Sequence, residues 1–326
     1  MRMKPFEPHP LLRNPHAQTI AATFLPRRFP RLPPGVTRDF ETEPGTKIRG
    51  ACHWQPVPRE RSTLIVVHGL EGSSESGYML GLAERAFVAG WNAIRLNQRN
   101  CGGTESLTPT LYNSGLSGDY RAVLAELIEK DSLPELFFAG YSMGGNLVLK
   151  MAGEFAAAAP KQLRGVAGVC PTIDLAVCAD AIALPGNFLY EHHFVSRLKR
   201  RMLRKAELFP GKFDLRPLAR VRTVREFDDA ITAKYCGFRD AGDYYAQSSA
   251  LRVAGAIRVP ALIVTAQDDP FVPFASFSDP ALEKNEHIRL AAPMHGGHCA
   301  FISRHSGDGR FWAEECLIDF FSAFND

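Results

Sequence analysis

No apolar run in this 326-residue chain approaches the length of a membrane span, and the N-terminal stretch MRMKPFEPHPLLRNPHAQT has no continuous apolar segment of the kind a secretory leader carries. A cytoplasmic location is therefore the expectation. The seven cysteines (Cys52, Cys101, Cys170, Cys178, Cys236, Cys299 and Cys316) are an odd number, widely spread and without a C-x-x-C pair. That excludes a disulfide framework and points to reduced, mostly buried thiols. Charge of one sign is scarce as well, 38 basic residues against 35 acidic ones for a net charge of +3. No basic stripe is interleaved with aromatics, so nucleic acid is not an expected partner. There is no P-loop, no G-x-G-x-x-G opening a βαβ unit and no H-E-x-x-H helix; the H-x-x-H formed by His295 and His298 has glycines in its spacer. Neither a cofactor nor a metal is expected, and no internal repeat or low-complexity tract is found.

What is present is the composition of a soluble globular protein, with 45% hydrophobic and 22% charged residues. Short apolar runs alternate with helix-like stretches, the sequence form of a mostly parallel sheet covered by helices on both faces. The strongest strands are Leu64 to Val67, Ala93 to Leu96, Leu136 to Ala139, Val166 to Val169 and Ala261 to Thr265. Their near-continuous β-branched and apolar character marks strands buried on both faces. Weaker runs at Arg38 to Thr42, Lys47 to Trp54 and His287 to Ala291 bring the count to about eight strands. Helices are expected at Tyr78 to Ala89, Asp119 to Glu129, Gly145 to Ala158 and Phe311 to Phe324.

From about Pro171 to Ala250 the alternation stops, and charged and aromatic segments without a strong strand suggest a helical cap inserted into one α/β domain spanning 1–326. Such insertions often act as lids. Within it lies the densest basic run, RLKRRMLRK from Arg197 to Lys205. Its plain reading is a solvated helix face; the second reading is a weak contact with an anionic membrane surface.

The chemistry centres on GYSMGG, Gly140 to Gly145, which follows the strand LFFA directly and runs into the helix NLVLKMAGEF. Strand, tight turn and helix are the context of a nucleophile elbow, in which glycines let the backbones approach while the serine is thrust out above the sheet. The alternative is an ordinary serine capping a helix. A nucleophilic Ser142 needs a carboxylate and a histidine in the chain order Ser, Asp, His. After the strand ALIVT comes AQDDPFVP, with Asp268 and Asp269; after the last candidate strand comes PMHGGHCAF, with His295 and His298. Counted from Asp269, D-P-F-V-P fits the D-x-x-V-P pattern of serine hydrolases, so Asp269 is the expected acid and Asp268 a loop ligand. His298, after two glycines and before an apolar stretch, is the expected base, and His295 a loop histidine. The oxyanion hole would use the amide of Met143 and that of Leu70 in the loop HGLEGSSES.

The stretches NPHAQT (Asn14 to Thr19), HGLEGSS (His68 to Ser74), NQRNCGGT (Asn97 to Thr104), GYSMGGN (Gly140 to Asn146), DDPF (Asp268 to Phe271) and HGGH (His295 to His298) resemble the α/β-hydrolases of the YheT-like branch, relatives of the eukaryotic abhydrolase-domain esterases. The likeness runs over most of the chain. It implies an α/β-hydrolase fold, a triad of Ser142, Asp269 and His298, and hydrolysis of short acyl or lipid-like carboxylic esters. It also suggests that NPHAQT helps to close the entrance and that NQRNCGGT shapes the sheet edge near the site. A thioesterase, an acyltransferase or a membrane-lipid lipase would use the same triad, and a binding protein could keep the scaffold without the chemistry.

Overall fold

The computed structural model describes residues 4–325. Near the N-terminus, Asn14 and Pro15 open helix α1 (Pro15–Phe24), the Asn14 side chain accepting a hydrogen bond from the Ala17 amide at 3.0 Å and the proline taking the first helical position. The motif NPHAQT is thus the start of a helix that was absent from the sequence reading.

An eight-stranded sheet follows, in the order β1-β2-β4-β3-β5-β6-β7-β8. The two expected edge runs form an antiparallel hairpin, β1 (Val36–Glu43) with β2 (Thr46–His53), and β2 also pairs antiparallel with β4 (Asn92–Leu96). From β4 onwards every pairing is parallel, through β3 (Thr63–Val67), β5 (Leu136–Tyr141), β6 (Leu163–Val169), β7 (Ala261–Val264) and β8 (Ile288–Ala291). Every residue of β3, β4 and β5 is buried, which is why these strands read as mostly apolar runs; the buried polar residues among them, such as Asn92 and Arg95 of β4, are hydrogen-bonded.

Strand alternation divides the core into two layers. Leu64, Val66, Phe137 and Ala139 face α2 (Gly77–Val88) and the C-terminal helix Trp312–Ser322. Ile65, Val67, Ile94 and Phe138 face α3 (Ser117–Glu129) and α4 (Met143–Phe155). Between β6 and β7 the described residues hold no strand. That stretch contains α5 (Leu175–Ile182), the 21-residue α6 (Phe188–Leu208), a helical run from Val224 to Cys236 with a π-helical turn at Asp228–Ala233, and two short helices before β7. The basic run falls on α6 and divides: Arg200 and Arg204 are exposed, whereas Lys205 is buried and Arg201 is turned inward.

The turn from β5 into α4 leaves no room for side chains. A Cβ on Gly140 would lie 2.1 Å from the Gly144 carbonyl oxygen, and one on Gly144 would lie 2.5 Å from the carbonyl oxygens of Val67 and His68. These neighbours are backbone atoms of α4, of the end of β3 and of the residue after it, and cannot swing aside as a side chain could. Gly144→Ala is therefore expected to cost at least about 3 kcal/mol, the upper range of overpacking, and to lower the melting temperature followed by circular dichroism; an unchanged melting curve would refute this reading of the turn.

Candidate active site

Ser142 sits at the N-cap position of α4 with φ 53° and ψ −119°, yet its side chain caps nothing. Instead its Oγ lies 3.0 Å from His298 Nε2, while His298 Nδ1 lies 2.9 Å from Asp269 Oδ2. The Asp269 side chain is fully buried and its Oδ1 also accepts from the amides of Phe271 (2.8 Å) and Val272 (3.1 Å), so the carboxylate is fixed by its own loop. With Nδ1–H donating to this carboxylate, Nε2 presents its lone pair to the serine hydroxyl. Burial alone would lower the His298 pKa, but the Asp269 carboxylate, joined by Cys299, outweighs it and holds the imidazole well above its ordinary value.

The neighbours passed over in the sequence pair with one another. Asp268 accepts from the Gly297 amide at 3.0 Å through Oδ1 and meets His295 Nδ1 at 3.1 Å through Oδ2. This second pair shapes the loop that carries His298. Helix α1 supports the same loop: the His298 amide donates to Thr19 Oγ1 at 2.9 Å, and buried Gln18 accepts from the Ile302 amide at 2.8 Å.

Opposite the serine runs the loop after β3. His68 is wholly buried; its Nε2 accepts from the Gln98 amide at 3.1 Å, so Nδ1 carries the hydrogen and donates to the Gly69 carbonyl at 2.7 Å, and burial lowers its pKa to about 4. A neutral histidine thus sets the turn. A Cβ on Gly69 would come within 3.1 Å of Ser142 Cβ, so the loop backbone rides directly against the serine. Among the described residues, neither the Leu70 nor the Met143 amide has a hydrogen-bond acceptor, and both residues line the cavity that holds Ser142 and His298.

The residue after Leu70 was missed in the sequence. Glu71, at φ 56° and with its side chain 3% exposed, accepts from Tyr112 Oη at 2.6 Å and from both Nε (2.7 Å) and Nη2 (3.0 Å) of Arg201 on α6. Arg201 also donates to the Asn100 carbonyl, and Lys205, one turn on, donates to Asn100 Oδ1 at 2.6 Å. NQRNCGGT supplies the rest of the brace, since Asn97 Oδ1 accepts from the Ser74 amide at 2.7 Å and Arg99 is ion-paired with Asp119 of α3, Nε to Oδ2 2.7 Å. The only signal for this clamp was the spacing of Arg201 and Lys205 with Leu198 and Met202, which puts basic and apolar residues on one inward face.

The cavity encloses about 1050 Å³, part of it open to solvent, and is walled mainly by apolar side chains such as Leu111, Leu175, Ile182, Phe194 and Phe227. One polar wall residue, Asp228 of the π-helical turn, accepts from Tyr245 Oη (2.8 Å) and Thr232 Oγ1 (2.7 Å), and burial raises its pKa to about 6. The group of potential metal ligands found among the described residues is Cys170, His298 and Cys299, whose donor atoms lie within 4.8 Å of one another. Both ring nitrogens of His298 are already engaged by Ser142 and Asp269.

A serine hydrogen-bonded to a histidine and a buried carboxylate, at the carboxyl ends of a doubly wound parallel sheet, is the arrangement of a hydrolase. Comparison with known proteins agrees. Residues 62–304 match the family model described as alpha/beta hydrolase fold. The chain is 31% identical to YheT of Escherichia coli (strain K12) over 95% of its own length and 91% of that protein. It is 26% identical to Phospholipase ABHD3 of Mus musculus over 78% of its length, covering 61% of that longer protein. Among solved structures, the Pyrococcus furiosus esterase Pf2001 superposes with a TM-score of 0.61 at 14% identity, with full coverage of both chains. The chain belongs to the α/β-hydrolase family, in its YheT-like branch, among hydrolases of esterase and lipase type.

Titration of the His298 imidazole by NMR should give a midpoint above the ordinary histidine value of roughly 6.5. Asp269→Asn removes the charge that favours the imidazolium and should bring the midpoint down; a midpoint that does not move would show that Asp269 is not the controlling charge.

Proposed function

We propose that this protein hydrolyses carboxylic esters through an acyl-enzyme on Ser142. The observation that carries the reading is the hydrogen-bonded series from Ser142 Oγ through His298 to Asp269, with a 3.0 Å contact between nucleophile and base. His298 Nε2 takes the hydroxyl proton as Ser142 Oγ bonds to the ester carbonyl carbon. The carbonyl oxygen becomes an oxyanion received by the Leu70 and Met143 amides, and collapse of the tetrahedral adduct breaks the bond to the alcohol, which leaves with the proton from His298. Water, deprotonated by His298, then attacks the acyl carbon and releases the acid, returning the proton to Ser142. Asp269 holds the imidazole in the tautomer that can accept and stabilises its charged form.

The apolar walls of the cavity favour an ester with an extended acyl chain, and the name of the relative Phospholipase ABHD3 supports a lipid-like substrate. Thioester cleavage or acyl transfer would change only the leaving group or the acceptor, and a panel of acyl-CoA, monoacylglycerol and p-nitrophenyl esters of graded length separates these.

Ser142→Ala should abolish fluorophosphonate labelling and lower ester turnover by about 10⁴-fold or more while leaving the melting temperature in place. Near wild-type turnover in that variant would overturn the assignment. The clamp gives a second, graded outcome. Glu71→Gln loosens the segment that presents the Leu70 amide, and a misplacement of this kind costs up to roughly 10²-fold; the loss should fall on kcat rather than KM, whereas a change confined to KM would assign Glu71 to substrate binding alone.

A further inference from the structure

Three segments expose large apolar side chains around one place. Helix α1 offers Ile20 and Phe24, the latter 77% exposed; the connection into α6 and its first turn offer Leu184, Phe188 and Leu189, the last 69% exposed; and the loop leading to His298 offers Met294, 70% exposed. Contacts between these segments bring them together. His16 of α1 stacks on Tyr190 of α6 with ring centroids 5.8 Å apart, and Ile20 and Phe24 follow His16 at successive fourfold spacings on the same helix face. Gly297, beside His298, lies so close to α1 that a Cβ there would be 2.5 Å from the Pro15 carbonyl oxygen.

The rim borders the reaction site. Tyr190 packs edge-on against Phe271 at 4.6 Å, and Phe271 against His298 at 4.7 Å, so an aromatic series leads from α1 at the surface to the proposed base. The whole of α6 spans about 30 Å at 1.5 Å per residue; beyond the apolar rim it carries Arg200 and Arg204 on its exposed side, while half-exposed Arg197 donates to the Glu71 carbonyl at 2.9 Å, and no acidic residue occurs between Glu191 and Glu207. Leu203, 48% exposed, lies among these arginines.

We infer that this face docks on an anionic lipid bilayer, with the apolar rim of α1 and the start of α6 entering the headgroup boundary and the arginine side of α6 lying on the charged surface. A contiguous apolar rim bounded by charge marks an interaction site, and an apolar edge continuing into a basic helix face is the pattern of interfacial helices. Charge complementarity selects the partner: basic residues near an anionic bilayer are each attracted to it, whereas a twofold contact between copies of this chain would set two basic faces against each other. Among the described residues no helix is long and apolar enough to cross a membrane, so the contact is a surface one. The inference stands apart from ester cleavage, because docking needs neither Ser142 nor His298.

The test is co-sedimentation of the full chain with vesicles of phosphatidylcholine alone and of phosphatidylcholine mixed with phosphatidylglycerol, using wild type, the pair Phe24→Asp with Phe188→Asp, and the pair Arg200→Glu with Arg204→Glu. Wild type should pellet with the mixed vesicles and much less with phosphatidylcholine alone. The aspartate pair should lose binding, and the glutamate pair or high salt should weaken it by at least about tenfold. Melting temperature, and turnover of a water-soluble short-chain ester, should be unchanged in both variants; if that ester is not turned over at all, the proposed activity fails while the docking result still stands. Absence of wild-type binding to the mixed vesicles, or variants that bind like wild type, would overturn the proposal. So would a dimer in light scattering that Phe24→Asp dissociates, since the face would then belong to a second copy.

Discussion

The backbone at Ser142 passes through the left-handed region, φ 53°, at the junction of the central strand and the helix that follows it. A non-glycine residue held there costs on the order of 1–3 kcal/mol and persists only where the surroundings over-determine it. Here they do. Strand β5 is buried along its whole length between β3 and β6, and the glycines at 140 and 144 let α4 start in contact with the backbone of β3. The strain has a direct chemical result. Because the Ser142 side chain points out to His298 instead of folding back over the helix, the first amide of α4 has no cap, which leaves it free for the oxyanion of the proposed reaction beside the positive end of the helix dipole.

The second amide of that pair comes from a loop with no such rigid neighbour, and the protein supplies one through buried charge. Glu71 and Arg201 are both nearly excluded from water, and each would be costly alone, by roughly 3–5 kcal/mol if its partner were removed. Paired through two contacts and joined by the Tyr112 hydroxyl, they tie the loop of β3 to α6, while Gln98 and Asn97 tie it to the segment after β4, which Asn100 in turn joins to α6. The helices between β6 and β7 therefore do more than wall the cavity. One of them, α6, holds Glu71, the residue next to Leu70.

Much of this was legible in the residues. Parallel strands covered on both faces are mostly apolar, so each of the strong strands could be located from its own run, even β4 with its buried Arg95, and the edge hairpin, with one polar side, gave the weaker signal. Asp269 was separable from Asp268 only through the D-x-x-V-P pattern that it opens; that the amides of Phe271 and Val272 hold its carboxylate is visible in the structure alone. The division of RLKRRMLRK was hidden because composition does not show direction. Six basic residues in a helix read as solvated, and tertiary contacts with Glu71, Asn100, Glu105 and Thr108 turn Arg201 and Lys205 inward. Helix α1 is hard to read for another reason: it is short and weakly patterned, and its start rests on a single N-cap asparagine followed by proline.

That short helix ties the inside of the site to its outside. Thr19 receives the backbone amide of His298, Gln18 holds Ile302 just beyond it, and His16 stacks on the first turn of α6. Thr19 and Gln18 face the histidine loop, while Ile20 and Phe24, on the remaining face of the same helix, are left to solvent. A displacement of α1 that repacks the exposed face must therefore also act on the amide that seats His298. The geometry of the imidazole and the shape of the entrance rim are held by one ten-residue element, with Asn14 and Pro15 fixing where it begins.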